Sequence, residues 1–457
     1  MADRRVVIAG GDGAGMSAAF KIKRIAPSIE VVVYEAGLIP SYGACGLPYF
    51  ISGVIADWQS LIARTPEEIR SQGIDLRLGH RVVKIYPKER RILVRREATG
   101  ECFLDSYDEF LAATGARAAR PKVEGLDSRG IYTLGTIPDA IAIREAALDP
   151  AKRNVVIVGG GFIGAELVES FSTLGKNVVL IEKAARFLPQ FEGEISAILA
   201  EEAAAAGVVI KPGESLAHLV AADGTLVGVS TDRAEYPADI AVLCLGVKPQ
   251  TAYFEASGID TLANGALRVD ARMHSSLPHI WAAGDCASVR HFQLDSDAYL
   301  PLGTNANKQG RLAGEHIARE ALGTEGPREG GKRFAGVLGS AVIKLLGLEA
   351  ARTGLGLEEA KAAGLGAASV LISAPDHAVY YPDSSPVTFL LIYSPTDHRI
   401  LGAQAVGRRG AALRIDVIAA AIQGGLCTEE FGLLDLCYAP PFASVWDVLH
   451  VAANAVK

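Results

Sequence analysis

The chain has 457 residues, which is more than one hydrophobic core usually serves, and this length predicts two to four domains. Hydrophobic residues make up 49% of the chain and glycine fills 49 positions, a composition typical of α/β proteins with buried parallel strands. The net charge of -7 argues against a general binder of nucleic acid or anionic membranes, so an anionic substrate would need a local basic patch.

The first twenty residues, MADRRVVIAGGDGAGMSAAF, place charge before an apolar stretch, as a secretory signal does. Glycines and Asp12 interrupt that stretch, so we interpret it as a strand, a turn and a helix. No stretch reaches the roughly 18 consecutive apolar residues that a membrane helix needs. The six cysteines form neither a CxxC pair nor a metal-like cluster, so we expect a cytoplasmic protein without a metal site.

The same N-terminal stretch predicts a βαβ unit, with a helix over about residues 16–26 and a second strand in IEVVVYE. In the dinucleotide fingerprint GxGxxG, glycines allow a tight turn, a close approach of the backbone to a pyrophosphate, and packing of the helix on the strand. Gly10 and Gly15 fill the outer positions, whereas Asp12 fills the middle one. Glu35 ends the second strand, where a carboxylate binds a ribose 2′-OH.

A second βαβ unit, RNVVIVGGGFIGAELVESFSTLGKNVVLIE, matches the fingerprint fully, with Gly159, Gly161, Gly164 and a terminal Glu182. Two such units predict two dinucleotide sites. A hydride donor plus a bound flavin is the useful pairing, since flavin accepts two electrons from NAD(P)H and passes them to sulfur or oxygen.

The acid that ends the second unit favours NADH, because the Glu182 carboxylate would repel the 2′-phosphate of NADPH. Lys183 and Arg186 follow closely. They either lie on a solvated face or accommodate NADPH.

Three further motifs follow in order: LAATGARAARP at 111–121, VLCLGVKPQT at 242–251 and HIWAAGDCA at 279–287. With the two fingerprints, they resemble the flavoprotein pyridine nucleotide-disulfide oxidoreductases along nearly the whole chain. The resemblance implies FAD and NAD(P)H as cofactors, with Asp285 on the flavin's ribitol. The cofactor-binding residues it implies are Gly10, Gly11, Gly13, Ala14, Gly15, Glu35, Ser41, Val83, Ala113, Thr114, Gly115, Gly159, Gly161, Phe162, Ile163, Gly164, Glu182, Gly246, Gly284 and Asp285.

The stretch SYGACGLPYF contains one cysteine, Cys45, and lacks the CxxxxC pair of glutathione and lipoamide reductases. This stretch resembles the coenzyme A-disulfide reductase, NADH oxidase and NADH peroxidase group. The oxidases and peroxidases commonly carry a histidine where this chain has Gly13, so the resemblance points to a disulfide or polysulfide substrate. A helix expected to start near Cys45 would lower the pKa of its thiol.

The tail segments HAVYYPDSSPVTFLLIYS at 377–394 and YAPPF at 438–442 resemble coenzyme A-disulfide reductases. In those enzymes two tyrosines of the partner subunit reach the cysteine, which implies a homodimer with catalytic roles for Tyr380 and Tyr438. The alternative is that both are ordinary interface aromatics. The residues that the resemblance implies for coenzyme A are Arg24, Ser41, Lys308 and Arg311, although a solvated helix face also explains the last two.

The expected fold is α/β, with two Rossmann-like dinucleotide-binding domains and a C-terminal α+β dimerisation domain. We expect an FAD domain at 1–116 and 270–327, an NAD(P)H domain at 117–269, and an interface domain at 328–457 after a linker at 323–333. We expect no rhodanese-like extension beyond it.

The leading functional hypothesis is an NAD(P)H-dependent coenzyme A-disulfide reductase. The alternatives are a reductase of polysulfide or another small disulfide, an NADH oxidase, and a flavin-binding redox sensor.

Overall fold

Two parallel five-stranded sheets form the N-terminal part of the computed structural model, which describes residues 4–323 and 332–457. Neighbouring strands in both sheets run parallel. The first sheet has the strand order Ile280–Ala282, Glu109–Ala112, Arg5–Ala9, Glu30–Glu35, Ile74–Leu78. The second sheet has the order Val209–Pro212, Asn177–Glu182, Asn154–Val158, Ile240–Leu243, Ile131–Tyr132.

Both sheets are buried on two faces, which explains their continuous apolar strands. Val6, Val7 and Ile8 are fully buried, and so are Val156 and Ile157 in the second sheet. Antiparallel sheets of three strands each accompany the two parallel ones: His80–Tyr86, Arg91–Arg96 and Cys102–Ser106, and Leu216–Ala222, Thr225–Thr231 and Glu235–Pro237. A two-stranded ribbon joins Val289–His291 to Ser296–Ala298.

Along the chain, most helices are placed between two strands. The α-helices are Gly13–Ile25, Leu47–Ser52, Pro66–Ser71, Ile137–Leu148, Phe162–Thr173, Gly193–Ala205, Gly303–Ala321, Leu357–Ala362, Ala411–Gly424, Thr428–Phe431 and Val448–Asn454, with 3-10 turns at Ala44–Gly46, Trp58–Leu61 and Ala252–Phe254. The first helix begins three residues before the predicted start at Met16, because the glycine turn itself opens the helix. In the described residues, no helix combines the length and apolarity that a bilayer crossing requires.

A third sheet of five antiparallel strands forms the C-terminal region, in the order Ala341–Leu345, Leu348–Gly354, Ile400–Gly407, Pro386–Tyr393, Ala368–Pro375. The segments SAVIKLL, VTFLLIYS and ASVLISAP predict strands and AALRIDVIAAAIQGG predicts a helix, and the structure confirms them as the first, fourth and fifth strands and the helix Ala411–Gly424. The two central strands were not predicted, since LEAARTG and ILGAQAVG are rich in alanine and glycine, which have low strand propensity. Of the predicted linker 323–333, residues 324–331 lie outside the described residues.

The chain crosses between the two parallel sheets twice, and the two crossings are paired. Ala116–Ala118 and Val247–Pro249 form an antiparallel ribbon. After the ribbon, Tyr253, Phe254 and Leu267 pack against the first sheet. This packing places Tyr253, Phe254 and Leu267 with the first sheet, whereas the sequence assigned residues 117–269 to the domain of the second sheet. The local pattern does not show which sheet a connecting segment contacts.

Candidate functional site

The two glycine turns have nearly the same geometry. Gly10 has a φ of 112° and Gly159 a φ of 110°, a conformation that favours glycine. A Cβ on Gly15 would lie 1.9 Å from the carbonyl oxygen of Gly10, and one on Gly164 would lie 2.0 Å from that of Gly159. Each helix therefore approaches its strand to a distance that only glycine permits, as a dinucleotide turn requires.

A glutamate closes each turn in the same way. Glu35 accepts hydrogen bonds from the backbone N–H of Gly11 at 2.7 Å and of Gly37 at 2.6 Å. Glu182 accepts from Gly160 and Ala184, both at 2.6 Å. Both carboxylates are thus fixed at the strand ends where a ribose is bound.

A cleft of about 2100 Å³ runs between the first, second and third sheets. It connects the two turns, since Asp12 and Ala14 line one part and Phe162 and Glu182 another. The predicted site residues that line it are Gly13, Ala14, Cys45, Ala113, Gly115, Gly159, Gly161, Phe162, Ile163, Glu182, Gly246, Gly284, Asp285 and Lys308.

The remaining predicted residues lie beneath or away from this cleft. Gly10, Gly11, Gly15 and Gly164 form the turns themselves, and the Thr114 hydroxyl donates to the Gln250 carbonyl at 2.6 Å. Val83 lies on an outer strand, Arg24 on the last turn of the first helix, and Arg311 on an exposed helix face; none of these three lines the cleft.

The cysteine loop is fastened to the first glycine turn. The Ser41 N–H donates to the Gly11 carbonyl at 2.9 Å, and the Tyr42 N–H donates to Asp12 Oδ1 at 3.1 Å. Ser41 is buried, with a φ of 51°. Asp12 and Gly11 therefore hold the backbone that carries Cys45 against the first glycine turn.

Cys45 is exposed to the cleft on a 3-10 turn, and the helix Leu47–Ser52 begins two residues later. The predicted helix start is confirmed, but the predicted lowering of the thiol pKa is wrong for this chain. The walls of the cleft partly remove the thiol from water, and the Glu166 and Asp285 carboxylates oppose a negative charge. Together they raise the pKa of Cys45.

A second cysteine, Cys244, also lines the cleft. Burial of its sulfur raises the pKa of Cys244 to about 12. It is therefore a thiol at neutral pH, and Cys45 is the better candidate for a nucleophile.

Buried carboxyl groups surround the cleft. Burial raises the pKa of Asp12 to about 6, against the lowering effect of hydrogen bonds from the Tyr42 and Gly13 N–H groups. Burial also raises the pKa of Asp285, and burial with the nearby Glu169 raises that of Glu166 to about 7. Asp12 and Glu166 therefore exchange protons near neutral pH, as acid–base groups in active sites commonly do.

Two of the cleft carboxylates were missed in the sequence. Glu166 follows the second fingerprint on the helix Phe162–Thr173, where an acid directly after the fingerprint's last glycine and an alanine was the available signal. Glu214 is buried, lines the cleft, and accepts from the hydroxyls of Thr231 at 2.9 Å and Tyr236 at 2.9 Å. No pattern in the sequence marks it.

Tyr380 and Tyr438 lie side by side although 58 positions separate them. Their hydroxyl oxygens are 3.1 Å apart, and their side chains are 73% and 46% exposed. Neither residue lines the cleft that contains Cys45 of the same chain.

Comparisons with known proteins agree with this geometry. The family model described as pyridine nucleotide-disulphide oxidoreductase matches residues 4–310, and the dimerisation domain of the same family matches residues 340–449. The chain belongs to this family.

Individual members of the family match over nearly all of the chain. The chain is 36% identical over 456 residues to the NAD(P)H coenzyme A polysulfide/persulfide reductase of Pyrococcus horikoshii, covering 99% of this chain and 98% of the relative. It is 31% identical to the NADH oxidase of Enterococcus faecalis, covering 99% of both. The crystal structure of reduced Bacillus anthracis CoADR-RHD matches with a TM-score of 0.94 and 31% identity, covering 100% of this chain and 80% of that one.

This pyridine nucleotide-disulphide oxidoreductase is an enzyme that uses FAD and NAD(P)H. Its residues fit both cofactors, because side chains at the two turns would collide with backbone and each strand end carries a fixed carboxylate. Its similarity places it among NAD(P)H-dependent flavin oxidoreductases of the coenzyme A disulfide or polysulfide reductase and NADH oxidase type.

Proposed function

We propose that the protein reduces the disulfide of coenzyme A through Cys45, the single exposed thiol in the cleft between the two dinucleotide units. This placement is the observation that carries the proposal. All six cysteines are free thiols, so Cys45 has no partner for an internal disulfide. Its oxidised form is therefore a mixed disulfide with the substrate, a persulfide or a sulfenic acid.

The proposed reduction of coenzyme A disulfide proceeds in two steps. The Cys45 thiolate attacks one sulfur of coenzyme A disulfide, forms a mixed disulfide and releases one coenzyme A thiolate. Bound FAD supplies two electrons from NAD(P)H. These electrons and one proton cleave the mixed disulfide, which returns the Cys45 thiolate and releases the second coenzyme A as a thiol.

Residues of the chain hold the reactants around this sulfur. The fixed carboxylates Glu35 and Glu182 would bind the two adenosine riboses, and Asp285 would bind the flavin's ribitol. The small side chain of Ala44, which lines the cleft, leaves space beside the sulfur, whereas the absent side chain of Gly46 makes room for Leu61. Lys308 is the one predicted coenzyme A contact among the cleft-lining side chains, and its ammonium suits a phosphate.

The thiolate needs a hydrogen-bond donor, since its surroundings in the chain raise the pKa of Cys45. The Tyr380 and Tyr438 hydroxyls would supply it from a second copy of the chain, because both side chains are exposed and outside their own cleft. The same hydroxyls would protonate a leaving thiolate. The matched dimerisation domain supports such a homodimer.

Replacing Cys45 by Ser tests the proposal. We expect the purified variant to reduce ferricyanide with NADH at the wild-type rate, because that reaction needs the two cofactors and no thiol. Its turnover with coenzyme A disulfide should fall below detection. Cys102→Ser, which changes an exposed cysteine outside the cleft, is the matched control and should retain both activities. Substantial disulfide turnover by Cys45→Ser would refute the mechanism.

Heterodimer complementation tests whether two chains share each site. One chain carries Cys45→Ser and the other carries Tyr380→Phe with Tyr438→Phe, and each is first shown to be inactive as a homodimer. In a shared arrangement, one of the two sites combines the wild-type cysteine with both wild-type tyrosines, so about half of the wild-type activity should return. A folded, FAD-loaded but inactive heterodimer would assign both tyrosines to ordinary packing.

A second candidate substrate is a persulfide or polysulfide of coenzyme A, which the name of the Pyrococcus horikoshii relative favours. Oxygen is the third candidate, since the Enterococcus faecalis relative is an NADH oxidase, but Gly13 stands where the oxidases commonly carry a histidine. NADH consumption measured with coenzyme A disulfide, polysulfide and oxygen under identical conditions separates the three. Coenzyme A disulfide should give the largest kcat/KM.

A further inference from the structure

A buried ion pair between Arg414 and Asp447 lies at the base of the two loops that carry the exposed tyrosines. Arg414 Nε donates to both carboxylate oxygens of Asp447 at 3.0 Å, and Nη2 donates to Asp447 Oδ2 at 2.7 Å. The two side chains are only 10% and 9% exposed. Desolvating such a pair costs free energy, so a buried ion pair often contributes a defined geometry more than stability.

The pair connects the two loops that carry the tyrosines. The first tyrosine loop is residues 376–385, and the second tyrosine loop is residues 432–447, between the last two helices. Arg414 Nη2 donates to the Asp376 carbonyl at 2.7 Å while it holds Asp447. One guanidinium therefore binds the start of the first loop and the end of the second.

The first tyrosine loop is closed on itself at its base. The Asp376 carboxylate accepts from the Ser385 N–H at 2.9 Å and the Ser385 hydroxyl at 3.1 Å, and the Asp376 N–H donates to the Ser385 carbonyl at 2.8 Å. Inside the loop, His377 Nε2 donates to the Pro382 carbonyl at 3.0 Å. Movement of Asp376 would therefore carry the whole loop, including Tyr380, with it.

The second tyrosine loop is fixed by fewer contacts near the aromatic pair. The Ala378 N–H donates to the Pro440 carbonyl at 3.2 Å, which joins the two loops directly. Asp447 also accepts from the Leu449 N–H at 3.0 Å and so caps the last helix. Asp447 thus fixes the end of the loop to a helix and to Arg414 together.

The tyrosine hydroxyls cannot supply this geometry themselves. Both are exposed, and a hydrogen bond between exposed side chains contributes little net free energy, because each hydroxyl also bonds to water. Their 3.1 Å separation must therefore be set by the backbone of the two loops.

We propose that Arg414 is a positioning residue that sets the Tyr380–Tyr438 hydroxyl pair through the Asp376 carbonyl and the Asp447 carboxylate. The inference rests on the proposed function for its catalytic consequence, since the pair then presents one defined donor to the substrate sulfur. The geometric part concerns this chain alone. Lysine cannot replace the guanidinium, because one ammonium cannot reproduce the planar fork that binds Asp447 and the Asp376 carbonyl.

The test uses Arg414→Lys in the FAD-loaded holoenzyme, with Arg272→Lys as the matched control. Arg272 is also buried, 3% exposed, and lies in the turn after Asp270, outside both tyrosine loops. We expect kcat/KM for coenzyme A disulfide to fall about tenfold in Arg414→Lys, a part of the roughly 10²–10⁴-fold that general acid–base catalysis contributes. Ferricyanide reduction by NADH should stay at the wild-type rate in both variants.

A second readout follows the tyrosines directly. The hydrogen bond in which the Tyr438 hydroxyl donates to Tyr380 raises the pKa of Tyr438. Tyrosinate absorbance is followed as the pH is raised, and the curve of a Tyr380→Phe/Tyr438→Phe protein is subtracted. The difference is the titration curve of Tyr380 and Tyr438 alone. In Arg414→Lys we expect this raised pKa to return toward the ordinary value of a tyrosine, and in Arg272→Lys we expect it to stay raised.

The kinetics and the tyrosine titration together distinguish the positioning role of Arg414 from the catalytic role of the two tyrosines. If the pair titrates in Arg414→Lys as in the wild type, the positioning role is wrong, whatever the activity. If that titration shifts but Tyr380→Phe/Tyr438→Phe still reduces the disulfide at the wild-type rate, Arg414 positions the pair and the proposed catalytic role of the tyrosines is wrong. Should Arg414→Lys not fold, Asp447→Asn serves, since its amide oxygen can still cap the last helix, and an unshifted titration there overturns the proposal.

Discussion

The first and second βαβ units share their turn geometry but differ in what each turn holds. In the first unit Asp12 occupies the middle fingerprint position and binds the Tyr42 N–H of the cysteine loop. In the second unit Gly161 occupies that position, and a Cβ there would meet only the Gln190 side chain, at 3.4 Å. The first turn is thus tied to the loop that carries the reactive sulfur, whereas the second turn faces the open cleft.

The helices that follow the two turns pack differently as well. The first helix contacts Gly303–Ala321 so closely that a Cβ on Gly310 would lie 2.1 Å from the Ala14 carbonyl oxygen. The helix of the second unit packs on Leu47–Ser52, where the Ser170 hydroxyl donates to the Pro48 carbonyl at 2.8 Å. Both turns border the cleft, but the first unit is packed against a long helix and the cysteine loop, whereas the second packs on a short helix.

The largest expected effect comes from adding a methyl group to the third glycine of each fingerprint. Gly15→Ala should abolish FAD retention, and Gly164→Ala should retain FAD while the KM for NADH rises by about 10- to 100-fold, since overpacking costs roughly 1–3 kcal/mol. Flavin absorbance and NADH–ferricyanide kinetics measure the two effects. Gly193→Ala, where an added Cβ meets nothing within 4 Å, is the control. Loss of FAD from Gly164→Ala would show that the two units are not independent.

A smaller effect is expected from neutralising one of the two strand-end carboxylates, Glu35 or Glu182, at a time. The Glu182 carboxylate should repel the 2′-phosphate of NADPH, and the Arg186 guanidinium is already held by the Phe191 carbonyl, to which its Nε donates at 2.8 Å. Glu182→Gln should therefore shift the ratio of kcat/KM values for NADH and NADPH toward NADPH by about tenfold, or roughly 1.4 kcal/mol. Glu35→Gln should leave the ratio unchanged. An unchanged ratio in Glu182→Gln would mean that Lys183 dominates cofactor choice.

The smallest effect concerns the charge of Asp12, which the second unit lacks. Because the pKa of Asp12 is about 6, its carboxyl is mainly neutral below pH 6 and mainly charged above it. The charge opposes a pyrophosphate anion, so FAD affinity should fall as the pH rises through 6, by less than about tenfold. Asp12→Asn should remove this step. Fluorescence titration of the apoprotein with FAD from pH 5 to 8 measures the FAD affinity, and the NADH affinity over the same range is the comparison. If the step in FAD affinity persists in Asp12→Asn, another group causes it.

Local patterns predicted the two dinucleotide units because their physical requirements are local. Glycines that permit a close backbone approach and an acid at a strand end lie within about thirty residues of one another. The pattern could not give the first residue of the helix Gly13–Ile25, since glycines of the turn also adopt helical geometry. The central strands Leu348–Gly354 and Ile400–Gly407 were missed because their burial comes from the neighbouring strands and not from their own propensity.

The electrostatics of the cysteine could not be predicted from its neighbours in sequence. A helix start next to Cys45 favours a low thiol pKa, whereas Glu166 and Asp285, which raise it, are more than one hundred residues away along the chain. Family resemblance supplied Tyr380 and Tyr438, but their contact depends on two loops that Arg414 joins. Long-range neighbours of this kind follow from the assembled fold alone.

The ribbon of Ala116–Ala118 and Val247–Pro249 brings together, at one junction, the two ends of the segment that contains the second parallel sheet. That segment is also held elsewhere, because Arg144 donates to the Phe50 carbonyl at 2.9 Å and the Leu346 N–H donates to the Glu169 carboxylate at 2.8 Å. Thr114 and Gln250 reinforce that junction, with the Gln250 amide donating to the Thr114 carbonyl at 2.9 Å. Exchange of this segment for another domain would therefore also require new contacts to the helix Leu47–Ser52 and to the C-terminal sheet.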